Sequence, residues 1–149
     1  MRYGAVLGVL AALAFLVAGC GGGKKTESDT ETVSANPQAV AACNGSPLKA
    51  TPMLPPSFPM VENTTLTRQS TEGPTNLVEG YWKGDVQEAH DEYLKELKAA
   101  GYQILFNEVE APNDSEISWK GEGRTGQVAL RNDCNGGGKI YVHITNRPA

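Results

Sequence analysis

Between Tyr102 and Thr145, apolar side chains recur at every second position in four short segments separated by turn residues. Alternation with a period of two is the pattern of a β-strand that buries one face. Three successive hairpin registers pair these apolar residues on a common face without conflict, which strongly limits the folds available to the chain. We therefore predict a four-stranded antiparallel sheet with one buried face. Its strands cover residues 102–109, 116–120, 127–132 and 139–145.

The registers can be stated as pairs of facing residues. A two-residue turn at Gly123-Arg124 fits the middle hairpin, because glycine in the first turn position suits type II′ geometry. The third hairpin closes with the glycine-rich loop after Cys134. The predicted pairs are Ile104–Trp119, Phe106–Ile117, Trp119–Val128, Ile117–Leu130, Val128–Ile144 and Leu130–Val142.

A helix is predicted just before these strands. Asp85 has the position and side chain of an N-cap, with Glu88 three residues later, and Gly101 suits the position after the last turn. Apolar side chains recur at intervals of three and four residues between the two ends and form one face. They are Val86, His90, Tyr93, Leu94, Leu97 and Ala100.

Two further strand segments precede the helix, at Met60–Gln69 and Asn76–Lys83, joined by a turn over Ser70–Pro74. The element order is therefore ββαββββ. We predict an α+β fold in which one amphipathic helix covers one face of an antiparallel sheet.

The N-terminus carries a separate signal. Arg2 precedes an uncharged stretch of about thirteen residues, too short for a helix that spans a bilayer about 30 Å thick, so an uncleaved anchor is disfavoured. The stretch ends in Val17-Ala18-Gly19-Cys20, which resembles the lipobox of bacterial lipoproteins. The resemblance implies that residues 1–19 are a signal peptide and that Cys20 carries at least two acyl chains. Two chains would anchor the exported protein stably to the cell membrane or the outer membrane.

Between the lipid site and the sheet, the sequence has no periodic apolar pattern. Residues 20–54 are predicted to form a tether, flexible at first and then stiffened by prolines, and residues 55–149 the single α+β domain. Leu54 and Phe58 are expected to pack on the domain where it begins. The run from Asp85 to Tyr102 is also similar to the layout of small exported lipoprotein domains, a likeness that supports the fold and implies no active site.

With Cys20 assigned to lipid, Cys43 and Cys134 remain. An exported protein stays in an oxidising setting, where paired cysteines persist as disulfides. Metal binding is disfavoured because no histidine lies near either cysteine in the sequence. We predict a Cys43–Cys134 disulfide.

The remaining sequence carries no recognisable catalytic motif. His90 is expected to pack on the border of the helix face, with one ring nitrogen hydrogen-bonded. His143 alternates with Val142 and Ile144, which places it on the sheet face away from the helix. No metal site or cofactor is predicted. With a formal net charge of -4 and no dense basic stretch, nucleic acid is not an expected partner.

The sheet face away from the helix is the candidate binding surface. Arg131 could stack there on Tyr141, and exposed cations beside an aromatic ring suit the recognition of acidic groups. An ordinary solvated face explains the same pattern. The candidate residues are Lys120, Arg131, Lys139, Tyr141 and His143.

These observations favour a membrane-anchored, non-enzymatic module that binds an envelope protein, a glycan or a lipid. One alternative is a small envelope enzyme with a site around His143. Another is a structural or assembly factor of the envelope, which would differ from the first only in its partner.

Overall fold

The computed structural model describes residues 36–149. The predicted signal peptide (1–19), Cys20 and the first part of the tether lie outside the described residues. Two helices and six strands follow in chain order: α1 Pro37–Cys43, β1 Thr64–Glu72, β2 Thr75–Lys83, α2 Val86–Ala99, β3 Gln103–Glu110, β4 Asp114–Gly121, β5 Arg124–Arg131 and β6 Lys139–Pro148. The strands form one antiparallel sheet in the order β1-β2-β6-β5-β4-β3. The predicted α+β class is confirmed. None of the helices within residues 36–149 is long and apolar enough to cross a membrane.

Helix α2 begins and ends where its capping residues predict. The Asp85 carboxylate accepts a hydrogen bond from the Glu88 backbone N–H at 2.9 Å, which satisfies one of the unpaired donors of the first turn. Gly101 has a φ of 83°, a conformation that glycine adopts without strain. The buried face of the helix packs on the sheet and consists of Val86, Ala89, His90, Tyr93 and Leu97.

Trp119 lies at the centre of the core and is fully buried. Its ring centroid is 5.3 Å from that of Phe58 and 5.2 Å from that of Tyr102. Gly126 faces Trp119 on the neighbouring strand, and a Cβ there would lie 2.6 Å from the indole ring. Only glycine therefore lets the indole lie so close to β5. The predicted packing of Phe58 on the domain is confirmed.

Two of the predicted registers are wrong. In the β4–β5 hairpin Ile117 faces Val128 and Trp119 faces Gly126, a shift of two residues. The cause is the turn: it lies at Glu122-Gly123, both with positive φ, as a type I′ turn requires. A shift of two preserves which side chains face the core, because the side-chain period of a strand is two.

The first predicted hairpin differs by a bulge. Ile104 faces Trp119 as predicted, but the register then shifts, and Phe106 faces Ser118 instead of Ile117. The inserted residue leaves Leu105 and Phe106 about half exposed on this edge strand, at 52% and 48%. The third hairpin is confirmed in both pairs, Val128–Ile144 and Leu130–Val142.

The prediction that the tether runs to residue 54 without regular structure is wrong for its described part. Residues 37–43 form helix α1, with Asn36 as N-cap and proline in the first turn. Seven residues are too few for a helical period to show in the sequence. The helix packs through the small side chains of Ala39 and Ala42 against the sheet face opposite α2. That face is therefore partly covered.

Three bonds hold the C-terminal end of α1 in place. The predicted Cys43–Cys134 disulfide is confirmed, with 5.5 Å between the two Cα atoms. The Lys139 ammonium donates to the Cys43 carbonyl at 3.1 Å, and the Thr67 hydroxyl donates to the Ala42 carbonyl at 2.8 Å. The helix is thus fixed to β1, to β6 and to the loop before β6.

The proline-rich segment that follows α1 also packs on the domain. The backbone N–H of Leu48 donates to the Leu66 carbonyl at 2.8 Å, and the Met53 carbonyl accepts from the Asn146 side chain at 2.8 Å. Leu48, Met53 and Leu54 contact the hydrophobic core. The packed domain therefore begins before the predicted boundary at residue 55.

His90 has the packing role predicted for it. Its Nδ1 lies 3.0 Å from the Ser115 hydroxyl in a buried contact between α2 and β4. Burial lowers the pKa of His90 below 6.5, an effect that Asp91 opposes and Lys98 reinforces. The fold therefore favours the neutral imidazole. Its contribution to stability is present above the unfolded pKa and is lost as pH falls toward the folded pKa, because the unfolded chain takes up the proton first.

We expect the free energy of unfolding to decrease from about pH 7.5 to about pH 5, and to decrease less in His90→Gln. The amide retains a hydrogen bond to Ser115 but does not titrate. Urea melts of both proteins across this range measure the difference. Parallel pH profiles would show that His90 does not contribute to the pH dependence.

Candidate functional site

The sheet face opposite α2 carries Lys139, Tyr141 and His143, which alternate along β6. Helix α1 covers Tyr141, which is 3% exposed, but leaves His143 partly open. A cavity of about 230 Å³ lies beside the start of α1. We call it the histidine cavity, and it is lined by Asn36, Gln38, Gln127, Ala129, Arg131, Tyr141 and His143.

A buried carboxylate lies next to this cavity. Glu79 on β2 is 2% exposed, so its charge needs compensating partners. The Tyr141 hydroxyl donates to Glu79 Oε1, and the Gln38 amide donates to the same oxygen at 2.6 Å. Arg68 Nε lies 3.9 Å from Glu79 Oε2. Burial, and then the adjacent Glu79 carboxylate, raise the pKa of Tyr141, so this hydroxyl keeps its proton.

The same network orients His143. Its Nδ1 lies 3.0 Å from the Tyr141 oxygen and 3.5 Å from Glu79 Oε1. The single hydroxyl proton of Tyr141 is directed to Glu79, so the tyrosine oxygen accepts from His143 Nδ1–H. In the neutral ring Nε2 is then the nitrogen with a free lone pair.

Arg131 lies opposite Tyr141 on the neighbouring strand, as the third register predicts. Its guanidinium is directed toward Glu116, with 3.8 Å between Nη2 and Oε1, and its side chain is 46% exposed. The predicted stacking of Arg131 on Tyr141 is not among the described contacts. The cation over a tyrosine ring is Lys139, 4.1 Å from the centroid of Tyr81.

The structure thus brings three of the five predicted face residues together: Arg131, Tyr141 and His143 line one cavity. Lys139 instead holds α1 in place, and Lys120 lies farther along β4, opposite Thr125. Sequence reasoning missed Glu79 and Gln38. The role of Glu79 could have been inferred from the sequence, because it is the single charged residue between Leu77 and Trp82 in a strand otherwise suited to burial. No sequence pattern indicated a role for Gln38, because α1 was not predicted.

A second cavity of about 370 Å³ lies on the same face. We call it the threonine cavity, and it is lined by Thr75, Leu105, Ser118, Thr125, Gly126, Gln127, Thr145 and Arg147. Gln127 lines both cavities, so the two are neighbours on the sheet face across β4, β5 and β6, and we refer to them together as the polar trough. Hydroxyl and amide groups dominate this trough, and Arg131 and Arg147 lie in its two parts.

Among residues 36–149, no group of three or more His, Cys, Asp or Glu side chains is placed to hold a metal ion. No protein-family model matches the chain, and no curated protein is significantly similar to it. The chemistry of the two cavities is therefore the basis for a functional proposal.

Proposed function

We propose that this protein is a non-enzymatic binding module of the bacterial cell envelope, anchored to a membrane by lipid on Cys20. The observation that carries the binding role is the histidine cavity. In it a partly exposed guanidinium and an oriented imidazole lie beside a buried hydrogen-bond network. Polar groups held at fixed positions in a concave surface give a ligand orientation and specificity.

The side chains of the histidine cavity suit binding better than covalent catalysis. Its seven lining residues include no serine, threonine or cysteine. The one hydroxyl among these residues belongs to Tyr141, which donates a hydrogen bond to Glu79 and has a raised pKa. A nucleophile needs a base that removes its proton, whereas this network retains the proton on the tyrosine.

We expect Arg131→Ala to reduce the amount of native partner recovered by crosslinking on intact membranes at least tenfold, whereas Lys98→Ala on α2 leaves it unchanged. A charge-assisted hydrogen bond contributes roughly 1.5–3 kcal/mol, which corresponds to a change of about tenfold or more in affinity. Equal urea midpoints of the variants and the parent protein would show that the fold is preserved. Undiminished recovery with Arg131→Ala would remove the cavity as the binding site.

An enzyme is the second candidate, and one observation favours it. The arrangement of Glu79, Tyr141 and His143 orients an imidazole with its free nitrogen available as a general base. An activity of the purified protein that His143→Ala abolishes would establish this alternative. Glu79→Gln should then lower kcat and change the pH profile of the reaction.

We expect Cys20→Ala to yield an uncleaved precursor or a soluble exported protein that incorporates no lipid. The Cys20 thiol is the only side-chain group in Val17-Ala18-Gly19-Cys20 that can accept the diacylglyceryl group. Labelling with a radioactive fatty acid and fractionation of the cells measure both effects. Membrane retention of a cleaved Cys20→Ala protein would contradict the proposed anchor.

A further inference from the structure

We infer that the histidine cavity receives an acidic sugar unit of a glycan, with the sugar carboxylate on Arg131 and a neighbouring hydroxyl group donating to His143 Nε2. This inference rests on the proposed binding function and adds the class of ligand. It rests on three features of the trough. They are the Arg131 guanidinium, whose ionic contact with Glu116 is long, the Nε2 acceptor of His143, and a lining of amide and hydroxyl groups.

The guanidinium of Arg131 is available to a carboxylate. Its ionic contact with Glu116 is 3.8 Å long, beyond hydrogen-bonding distance, and Gln127 already donates to the other Glu116 oxygen at 3.0 Å. The planar guanidinium can bind both oxygens of one carboxylate through two parallel hydrogen bonds. A ligand carboxylate can therefore add to this side of the cavity without displacing a tight internal ion pair.

The imidazole of His143 can accept a hydrogen bond from a donor on the ligand. Its Nδ1–H is committed to Tyr141, so the neutral ring offers the lone pair of Nε2. A phosphate dianion would place acceptor oxygens against that lone pair, and its two negative charges would lie near the buried Glu79 carboxylate, which contacts the same ring. A sugar acid presents one carboxylate with hydroxyl donors beside it, which matches the Arg131 guanidinium next to the Nε2 lone pair.

The threonine cavity offers room for a second sugar unit beside the one in the histidine cavity. The histidine cavity, at about 230 Å³, is smaller than the ~300–1,000 Å³ typical of pockets for drug-sized ligands. It therefore suits a single small unit. Gln127 also lines the neighbouring threonine cavity, to which Ser118, Thr125 and Thr145 contribute hydroxyl groups. A chain of linked sugars would place its next unit there, with the exposed Leu105 side chain at the edge to contact a ring face.

The two histidines of the chain make the test direct. Full-length protein in detergent micelles is labelled with ¹⁵N-histidine and titrated with a trisaccharide of galacturonic acid. We expect the Nε2 resonance of His143 to shift during the titration. His90, buried against Ser115 on the other sheet face, should not shift. A neutral galactose trisaccharide should bind at least tenfold more weakly.

Matched variants and probes decide between outcomes. Arg131→Gln should weaken binding of the acidic trisaccharide at least tenfold, and Lys98→Gln should leave it unchanged. Inorganic phosphate, a tetraglutamate peptide or phosphatidylglycerol vesicles binding more tightly at His143 would overturn the sugar assignment and leave the proposed binding function standing. No shift of His143 with the acidic trisaccharide would also overturn it. The proposed function is tested separately, by whether Arg131→Ala leaves partner crosslinking on membranes intact.

Discussion

Replacing Cys43 and Cys134 together with alanine is expected to lower the free energy of unfolding by about 2–5 kcal/mol. The disulfide joins residues 91 positions apart, and a bond that closes so long a loop removes much of the conformational freedom of the unfolded chain. Both side chains are buried, and alanine avoids placing a new hydroxyl group there.

The effect should be concentrated at α1. Without the disulfide, Lys139 and Thr67 still contact the end of the helix, but the covalent connection is gone. We expect amide hydrogen exchange to accelerate in residues 39–43, with α2 and the central strands unaffected. Urea melts give the stability and exchange mass spectrometry gives the location. A variant with unchanged stability and unchanged exchange in α1 would contradict the role of the disulfide.

Leu97→Ala is the second large effect. Leu97 is fully buried on the face of α2 that packs on the sheet, so truncation removes buried apolar surface and leaves a cavity. Substitutions of this kind cost about 2–5 kcal/mol.

Glu96→Ala is its matched control, because the neighbouring position faces away from the core. Glu96 contacts only the exposed ammonium of Lys95 among the described ion pairs, at 3.3 Å, and the expected cost is under about 0.5 kcal/mol. Urea unfolding of the two variants measures the difference. Similar losses from both would mean that the buried face of α2 is misassigned.

The sheet was predictable because strand alternation is a strong, repeated signal. The segments of β4, β5 and β6 assigned their residues to a face, and those assignments hold even where the β4–β5 register is shifted by two. In β3 the bulge after Ile104 interrupts the alternation, so Phe106 does not lie on the predicted core face. The β4–β5 shift was harder to predict, because Glu122-Gly123 and Gly123-Arg124 are both plausible turns. The conformation of Glu122, with a φ of 50°, is unusual for a residue other than glycine.

The candidate site was only partly predictable. The strand pattern placed Arg131, Tyr141 and His143 on one face, but whether that face is open depends on α1. Helix α1 lies far from the sheet in sequence and is too short to show a period. The partners of His143 depend on Glu79, which comes from a different hairpin and joins β6 only through the sheet order. Sheet order is set by long-range pairing, which local patterns do not encode.

The claim that the trough binds the native ligand is tested most directly by photo-crosslinking in cells. A benzophenone amino acid is placed at Gln127, which lines both cavities, or at Gln87, on the exposed side of α2. Equal amounts of the two membrane-anchored proteins are irradiated and their adducts compared. The account predicts an adduct from position 127 that Arg131→Ala abolishes, and none from position 87. An adduct from position 87 with none from position 127 would contradict it.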